Sequence, residues 1–268
     1  MLETKKCGSV TVFRMGRHFG KRVLYFVHSF LIGDTLIDTG TIYVADELLS
    51  ALMDKPISTI INTHHHEDHT GNNLLLQKHF NAKIYAPAEA LPFMLQPHQA
   101  KQRLYLRVLW NYPEPSSGYP LNKTLNIGKQ TFDIIHTPGH SPDHICLYEP
   151  NEKMLFTGDM FCGEHVKYLR QDEDFNQILS SLHKLESLDV HTIFCGVAGA
   201  VPNGGQALKK KISFMEGLNS QVWTLYREGV SPTHIRRRLL GREGLMYWLS
   251  NGHFSKQNLV NSILSLPQ

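Results

Sequence analysis

The sequence predicts an α/β protein: a sheet-rich body with helices packed against it, followed by a helical C-terminal extension. Three observations carry this. The first forty residues alternate short β-branched and aromatic runs with turns bearing Gly or Asp. The chain then runs helix, strand, helix, strand, the order of a sheet with helices on its face. Beyond Gly204 it turns almost wholly helical.

The first strands are "VTVFRMG", "VLYFVHSFLIG" and "TLIDTG". In "VADELLSALMDK" the apolar residues Val44, Leu48, Leu49 and Leu52 recur at helical spacing, and the helix ends before Pro56. "ISTIIN" is a short buried strand, "NNLLLQKHF" a helix and "AKIYAP" a strand. Residues 88–120 are rich in proline and aromatics around one short helix. Strands resume in "TLNIGKQTFDIIHTPG" and "HICLYEPNEKMLFTGD". A helix over 175–186 and the strand "TIFCG" follow, so the second half repeats the order of the first. We place one domain at residues 1–205 and the helical extension at 206–268. Ser231 and Ser255 are expected as helix N-caps.

The 268 residues are 41% hydrophobic and 19% charged with a formal charge of +3, a balance that speaks for a globular domain and against a dedicated nucleic-acid binder. "HIRRRLLGR" reads as the solvated face of a helix. "MLETKKCGSV" has no following apolar segment, and no run is long enough to span a bilayer. Cys7, Cys146, Cys162 and Cys195 show no paired spacing and read as reduced thiols. The expectation is a cytoplasmic protein that acts on a small molecule, with the C-terminal helices either packed on the sandwich or offering a surface for homo-oligomers.

Chemistry concentrates in "NTHHHEDHTG", residues 62–71. On extended backbone, alternate side chains share a side. His64, His66 and Asp68 would then face one way, and His65 and Glu67 the other. His69 lies beyond, where the chain bends toward the next helix, and Gly71 suits that bend or a close backbone approach. Three imidazoles and a carboxylate on one short loop are costly unless a cation binds them. Three more polar residues follow strand ends: Asp38 in "LIDTG", His140 in "HTPGHSPDH" and Asp159 in "LFTGDM".

Together these residues resemble the metallo-β-lactamase superfamily, on its glyoxalase II-like metallo-hydrolase branch. His64, His66, Asp68 and His69 match its His-x-His-x-Asp-His pattern, His140 its Gly-His turn, Asp159 its Gly-Asp turn, and "IDTG" its early Asp-x-Gly. The matches run in order over residues 10–205. The resemblance implies an αββα sandwich with metals at the edge between its sheets. It implies His64, His66 and His140 on the first ion, Asp68 and His69 on the second, and Asp159 between them. Asp38 would orient ligands by hydrogen bonds. Zinc is the expected metal, one or two ions, with iron or manganese as alternatives.

One departure stands out. The family places a last histidine after the final core strand, where "FCGVAGAV" has Val197. Valine cannot ligate, so the second ion is short of a ligand, with Cys195, His165 and His191 as the candidates to replace it.

The implied activity is hydrolysis of an ester, thioester, lactone, amide or phosphoester by a metal-activated water, with Asp68 orienting that water or accepting its proton. Two other readings remain open. His64, His140 and Asp159 would suit a mononuclear iron sulfur dioxygenase, and a decayed second site would suit a non-catalytic binding protein. Tyr105, Trp110, Tyr112 and Tyr119 are candidates for an apolar pocket wall. Lys167, Tyr168 and Arg170 are candidates to meet a carboxylate or phosphate.

Overall fold

The computed structural model describes residues 1–20, 22–99, 103–128 and 130–266. Seven strands form a first sheet in chain order: β1 (Leu2–Cys7), β2 (Val10–Phe19), β3 (Arg22–Ile32), β4 (Thr35–Ile37), β5 (Thr59–Ile61), β6 (Lys83–Ala86) and β7 (Tyr119–Pro120). Pairing is antiparallel through β4 and parallel from β4 to β7. A second sheet starts with β8 (Thr124–Ile127), β9 (Gln130–His136), β10 (Ile145–Glu149) and β11 (Met154–Gly158). After the short β12 (Leu169–Arg170), it is completed by β13 (Thr192–Cys195) and β14 (Gly199–Pro202), in the order β14-β13-β11-β10-β9-β8. β12 pairs instead with β15 (Phe254–Ser255), close to the C-terminus.

Helices cover the outer faces. α1 (Ala45–Leu52), the single turn α2 (Glu67–Thr70), α3 (Asn73–Phe80), α4 (Leu91–Leu95) and α5 (Leu104–Leu109) interrupt the first half. α6 (Phe175–Glu186), α7 (Gly204–Arg227), α8 (Pro232–Leu239), α9 (Leu245–Leu249) and α10 (Lys256–Ile263) belong to the second. The architecture is an αββα sandwich, as the sequence implies.

Strand alternation builds its three apolar layers. Leu36 and Ile60 face Leu48, Leu52 and Leu76 of the first helices, whereas Ile37 and Ile61 turn inward between the sheets. In the second sheet Phe156 and Phe194 turn inward, and Leu155, Ile193 and Cys195 face α6 and α7. Strands buried on both faces are therefore continuous apolar runs in the sequence. The centre is aromatic: the rings of Phe156 and Phe194 stack at 4.8 Å, and Phe30 meets both edge-on. Burying each contributes roughly 1.5–3 kcal/mol. α7, α8 and α10 share one apolar cluster with α6, through Leu182, Leu208, Met215, Ile235 and Leu259.

Several elements depart from the sequence reading. β1 is a charged strand, "LETKKC", with four of six residues exposed, so it lacks the apolar signature of its neighbours. Residues 88–120 contain two short helices rather than one, α4 and α5. α9 was hidden in an apolar run that the fold leaves exposed, with Leu245 at 72% and Trp248 at 74%. Ser255 caps α10 by accepting from the Gln257 and Asn258 N–H groups. Ser231 stands at the N-cap of α8 with Pro232 opening the helix, as expected, but its side chain caps no backbone N–H; the hydroxyl pairs with His234 Nδ1 at 2.7 Å.

At one edge the ends of β4, β5, β11 and β13 come together. Backbone bonds hold this edge: Asp38 N–H donates to Ile61 O (2.8 Å) within the first sheet, and Ile145 N–H to Thr63 O (3.0 Å) and His28 N–H to Gly196 O (2.8 Å) tie the two halves.

Candidate metal centre

The histidine-rich stretch occupies this edge, but not as an extended strand. β5 stops at Ile61, the chain bends over residues 63–65, and α2 begins at Glu67. The predicted sorting of side chains therefore has a different cause. His65 is turned away because Asp143 takes it: Asp143 accepts from the His65 N–H (2.8 Å) and its Nδ1 (2.9 Å), while the ring stacks on Phe93. His66 and His69 reach the centre from the two ends of the helical turn. Their backbone is held by Thr39 N–H and Asn62 Nδ2, which both donate to His69 O. Gly71 has ordinary helical φ and is needed for close approach, because a Cβ there would lie 2.4 Å from Gly40 O.

Two donor sets result. His64, His66 and His140 each bring one nitrogen within 4.8 Å of the others, and His64, His69 and Asp159 bring one ligand atom each in the same way. His64 belongs to both. Asp68 is in neither set; it lies beside Asp159 and His69, and burial pushes its carboxyl up to about 6.

The surrounding groups decide which nitrogens are free. Asp38 accepts from Thr63 N–H (2.8 Å), from Thr63 Oγ1 (2.9 Å) and from His69 Nδ1 (2.7 Å). Thr63 Oγ1, having donated to Asp38, accepts from His64 Nδ1 at 3.0 Å. Glu173 accepts from His140 Nδ1 at 2.6 Å. Nδ1 of each of these three rings is thus engaged from outside, and Nε2 is turned toward the centre, the arrangement that orients metal-binding histidines. By hydrogen-bond geometry His64 Nε2, His69 Nε2 and Asp159 Oδ1 are buried without a partner, although His69 Nε2 and Asp159 Oδ1 face each other at 3.3 Å. Three such orphans converging are costly by themselves and suit a divalent cation.

Electrostatics agree. Burial, then the neighbouring histidines, holds His64 far below its ordinary value, and burial and Arg170 do so for His66. On His69, Asp38 and Asp159 outweigh burial and raise the pKa. Against burial, His69 and His140 hold the Asp159 carboxyl low.

Three supporting residues had no distinct signal in the sequence. His144 accepts the Asp159 N–H on Nε2 (3.1 Å) and faces Thr137 Oγ1 with Nδ1 (2.9 Å), and burial holds it neutral at about 3. Glu173 and Asp143 orient His140 and His65. His144 and Asp143 lie in the quoted "HSPDH", but nothing in their spacing distinguishes them from turn residues.

The Val197 position is a tight turn between β13 and β14. Val197 is 42% exposed. Its neighbour Gly196 abuts the centre: a Cβ there would meet Asp159 Oδ1 at 2.6 Å and His69 Cε1 at 2.7 Å. Cys195 faces the opposite way, into the layer with α6 and α7. Its sulfur accepts from the Cys162 and Ala198 N–H groups. His165 packs on Phe214, and His191 sits at the far end of β13. Among the described residues, none of the three belongs to either donor set.

The pocket candidates also resolve. Tyr105 is buried and bonds His253 Nδ1. Tyr112 packs on His98, and Tyr119 is 57% exposed. Trp110 stacks on Tyr25 at 4.6 Å, and its indole favours the charged form of Asp68. Lys167 is exposed; Tyr168 packs on Phe254. Arg170 is the residue of this segment that reaches the centre. Its guanidinium lies over the His66 ring, with Nη2 3.0 Å from Nε2, and Asp172 holds it by two bonds of 2.7 and 2.8 Å. Beside it, Arg103, Leu106, Gln171, Asp172 and His253 line an open cleft of about 320 Å³, more polar than the aromatic wall expected.

The sequence profile described as the metallo-beta-lactamase superfamily matches residues 22–197. A hydroxyacylglutathione hydrolase, GloC, of Haemophilus influenzae is 30% identical over 158 residues, 58% of this chain and 74% of that protein. An atrochrysone carboxyl ACP thioesterase of Aspergillus fumigatus is 26% identical over 217 residues, 78% of this chain and 62% of that one. The chain spans about half the length of several other hydroxyacylglutathione hydrolases it matches. A beta-lactamase domain protein from Burkholderia ambifaria superposes with a TM-score of 0.72 at 18% identity, over 98% of this chain and 88% of that one. Fold, site and profile agree: the chain belongs to the metallo-β-lactamase superfamily, on its hydroxyacylglutathione hydrolase-like side.

Proposed function

We propose that the protein is a metal-dependent hydrolase that cleaves an acyl thioester or a related ester. The observation that supports this is the convergence of the His64, His66 and His140 nitrogens, and of His64, His69 and Asp159, with Nδ1 of His64, His69 and His140 each held by a neighbouring group. His64, His66 and His140 would hold one ion, and His64 or His69 with Asp159 a second, more weakly because Val197 brings no donor. A zinc, manganese or iron ion bound here supplies a Lewis acid and lowers the pKa of water toward about 7.

The chain's own residues would do the rest. Asp68, beside the donor sets but in neither, is placed to accept a proton from the attacking water. Arg170, fixed by Asp172, presents a cation at the mouth of the histidine cluster, where it can receive a carboxylate or the oxygen that gains charge as the carbonyl is attacked. The neighbouring cleft offers room for the thiol-bearing part of the substrate. Two relatives favour the thioester, since both names describe removal of an acyl group from a sulfur carrier.

The test is to strip the protein with a chelator, add back zinc, manganese or iron(II), and follow thiol release from simple acyl thioesters. Activity should vanish on stripping and return with metal. Unchanged turnover by stripped protein would refute the proposal. Oxygen uptake with a persulfide, in place of thiol release, would move the assignment to a dioxygenase.

A further inference from the structure

Three groups near the centre have no part in the proposed hydrolysis: Cys162, Cys195 and Lys211. Cys162 follows Asp159 by three residues, on an exposed turn with left-handed backbone (φ 44°). Its thiol donates to Asp159 O at 2.9 Å. The Cys162 N–H donates to Cys195 Sγ at 3.3 Å. Cys195 is fully buried at the end of β13, in parallel register with Gly158. The turn between them is clamped from the helical extension. Lys211 of α7, only 4% exposed, donates from Nζ to Phe161 O (2.6 Å) and Gly163 O (3.2 Å), the carbonyls on either side of Cys162.

We propose that Cys162 and Cys195 form a reversible redox site, in which a hydroperoxide converts the dithiol to a disulfide joining the turn after Asp159 to the end of β13. Cys162 reaches solvent and meets the oxidant. The Cys195 sulfur and burial hold the Cys162 thiol up, so it reacts through its minor thiolate form, the proton having passed to water. The thiolate attacks the peroxide oxygen, the O–O bond breaks, hydroxide or alkoxide leaves, and a sulfenic acid forms. The Cys195 thiolate then attacks that sulfur, the S–S bond forms and the S–O bond breaks. The hydroxide that leaves takes a proton from the water pool, equal to the one Cys195 gave up, to end as water. The two thiols are oxidised by two electrons in all, and the peroxide is reduced. Because the Cys162 thiol leaves the Asp159 carbonyl, the change is felt at the turn that carries Asp159. Nothing in this step requires the hydrolase reading.

The experiment treats the full chain with hydrogen peroxide, alkylates the remaining thiols and maps the peptides. The expected result is a peptide pair joined through Cys162 and Cys195, loss of two of the four alkylatable thiols, and full reversal by dithiothreitol. Cys162→Ser, on the exposed turn, should abolish the cross-link, and Cys7→Ser should leave it intact. Three outcomes would overturn the proposal: Cys162 ending as sulfinic acid with Cys195 still free, a link from Cys195 to Cys146, or an intermolecular dimer as the main product.

Discussion

Gly196→Ala isolates the role of close packing at the centre. Gly196 has ordinary φ, so alanine brings no backbone strain, and its effect must come from the added methyl group. That carbon would stand 2.6 Å from Asp159 Oδ1 and 2.7 Å from His69 Cε1. Restoring ordinary contact requires each neighbour to retreat by about 0.7–0.8 Å, on the scale of the ~1 Å misplacement that costs ~10²-fold in rate. Neither can yield freely. His69 is pinned by Asp38 through Nδ1 and by Thr39 and Asn62 through its carbonyl, and Asp159 is held through its N–H by His144. The overpacking should cost about 1–3 kcal/mol of stability. Metal affinity should fall roughly 10–100-fold, the effect usual for disturbed ligand orientation. Thermal unfolding, competition with a chromophoric zinc chelator and thiol release would each report it. Gly217→Ala is the control: nothing lies within 4 Å of its added methyl group, and removing a glycine from the interior of α7 should stabilise by about 0.5–1 kcal/mol. If Gly196→Ala matched wild type in all three measurements, the convergence of Asp159 and His69 on one ion would be refuted.

Three further outcomes are expected. Glu173→Gln removes the charge facing His140 Nδ1 and should weaken metal binding about 10-fold or more, read by the same chelator competition; unchanged affinity would deny Glu173 that role. Val197→His should raise tightly bound metal toward a second equivalent, measured by elemental analysis, whereas two tight equivalents in the unaltered protein would show that Val197 costs nothing. His144, at about 3 in the fold against 6.5 ordinarily, is neutral when folded. As pH drops below about 6.5 the unfolded chain takes up a proton that the folded chain refuses. The stability His144 contributes at neutral pH is therefore lost progressively from about 6.5 down to 3, at up to about 1.4 kcal/mol per pH unit. Urea unfolding of metal-free His144→Gln between pH 7 and 4 should show a slope shallower by up to that much, and an identical slope would exclude His144 as its source.

The fold class, and the strand ends where polar residues gather, are legible in the chain for a physical reason. Buried strands must be apolar on both faces, so β4, β5, β10 and β11 stand out as continuous runs, and the polar residues at their ends then mark the edge where ligands can gather. Hence Asp38, His64, His66, His69, His140 and Asp159 were all legible from spacing. Tertiary structure decided what spacing cannot express. The pairing of His65 with Asp143 needs the two sheets to stack, that of His140 with Glu173 needs two loops of the second half to meet, and that of Asp159 with His144 needs the register that closes the β10–β11 hairpin. The burial side of Cys195 follows from the register of β13 on β11, which turns its sulfur toward α6 and α7 and away from the histidine cluster. Arg170 was one of three similar candidates in the chain, and only the hold of Asp172 brings it, rather than Lys167 or Tyr168, over His66. Local pattern records which side chains are polar and how often they recur. The direction in which each one points is set by contacts between segments far apart in the chain.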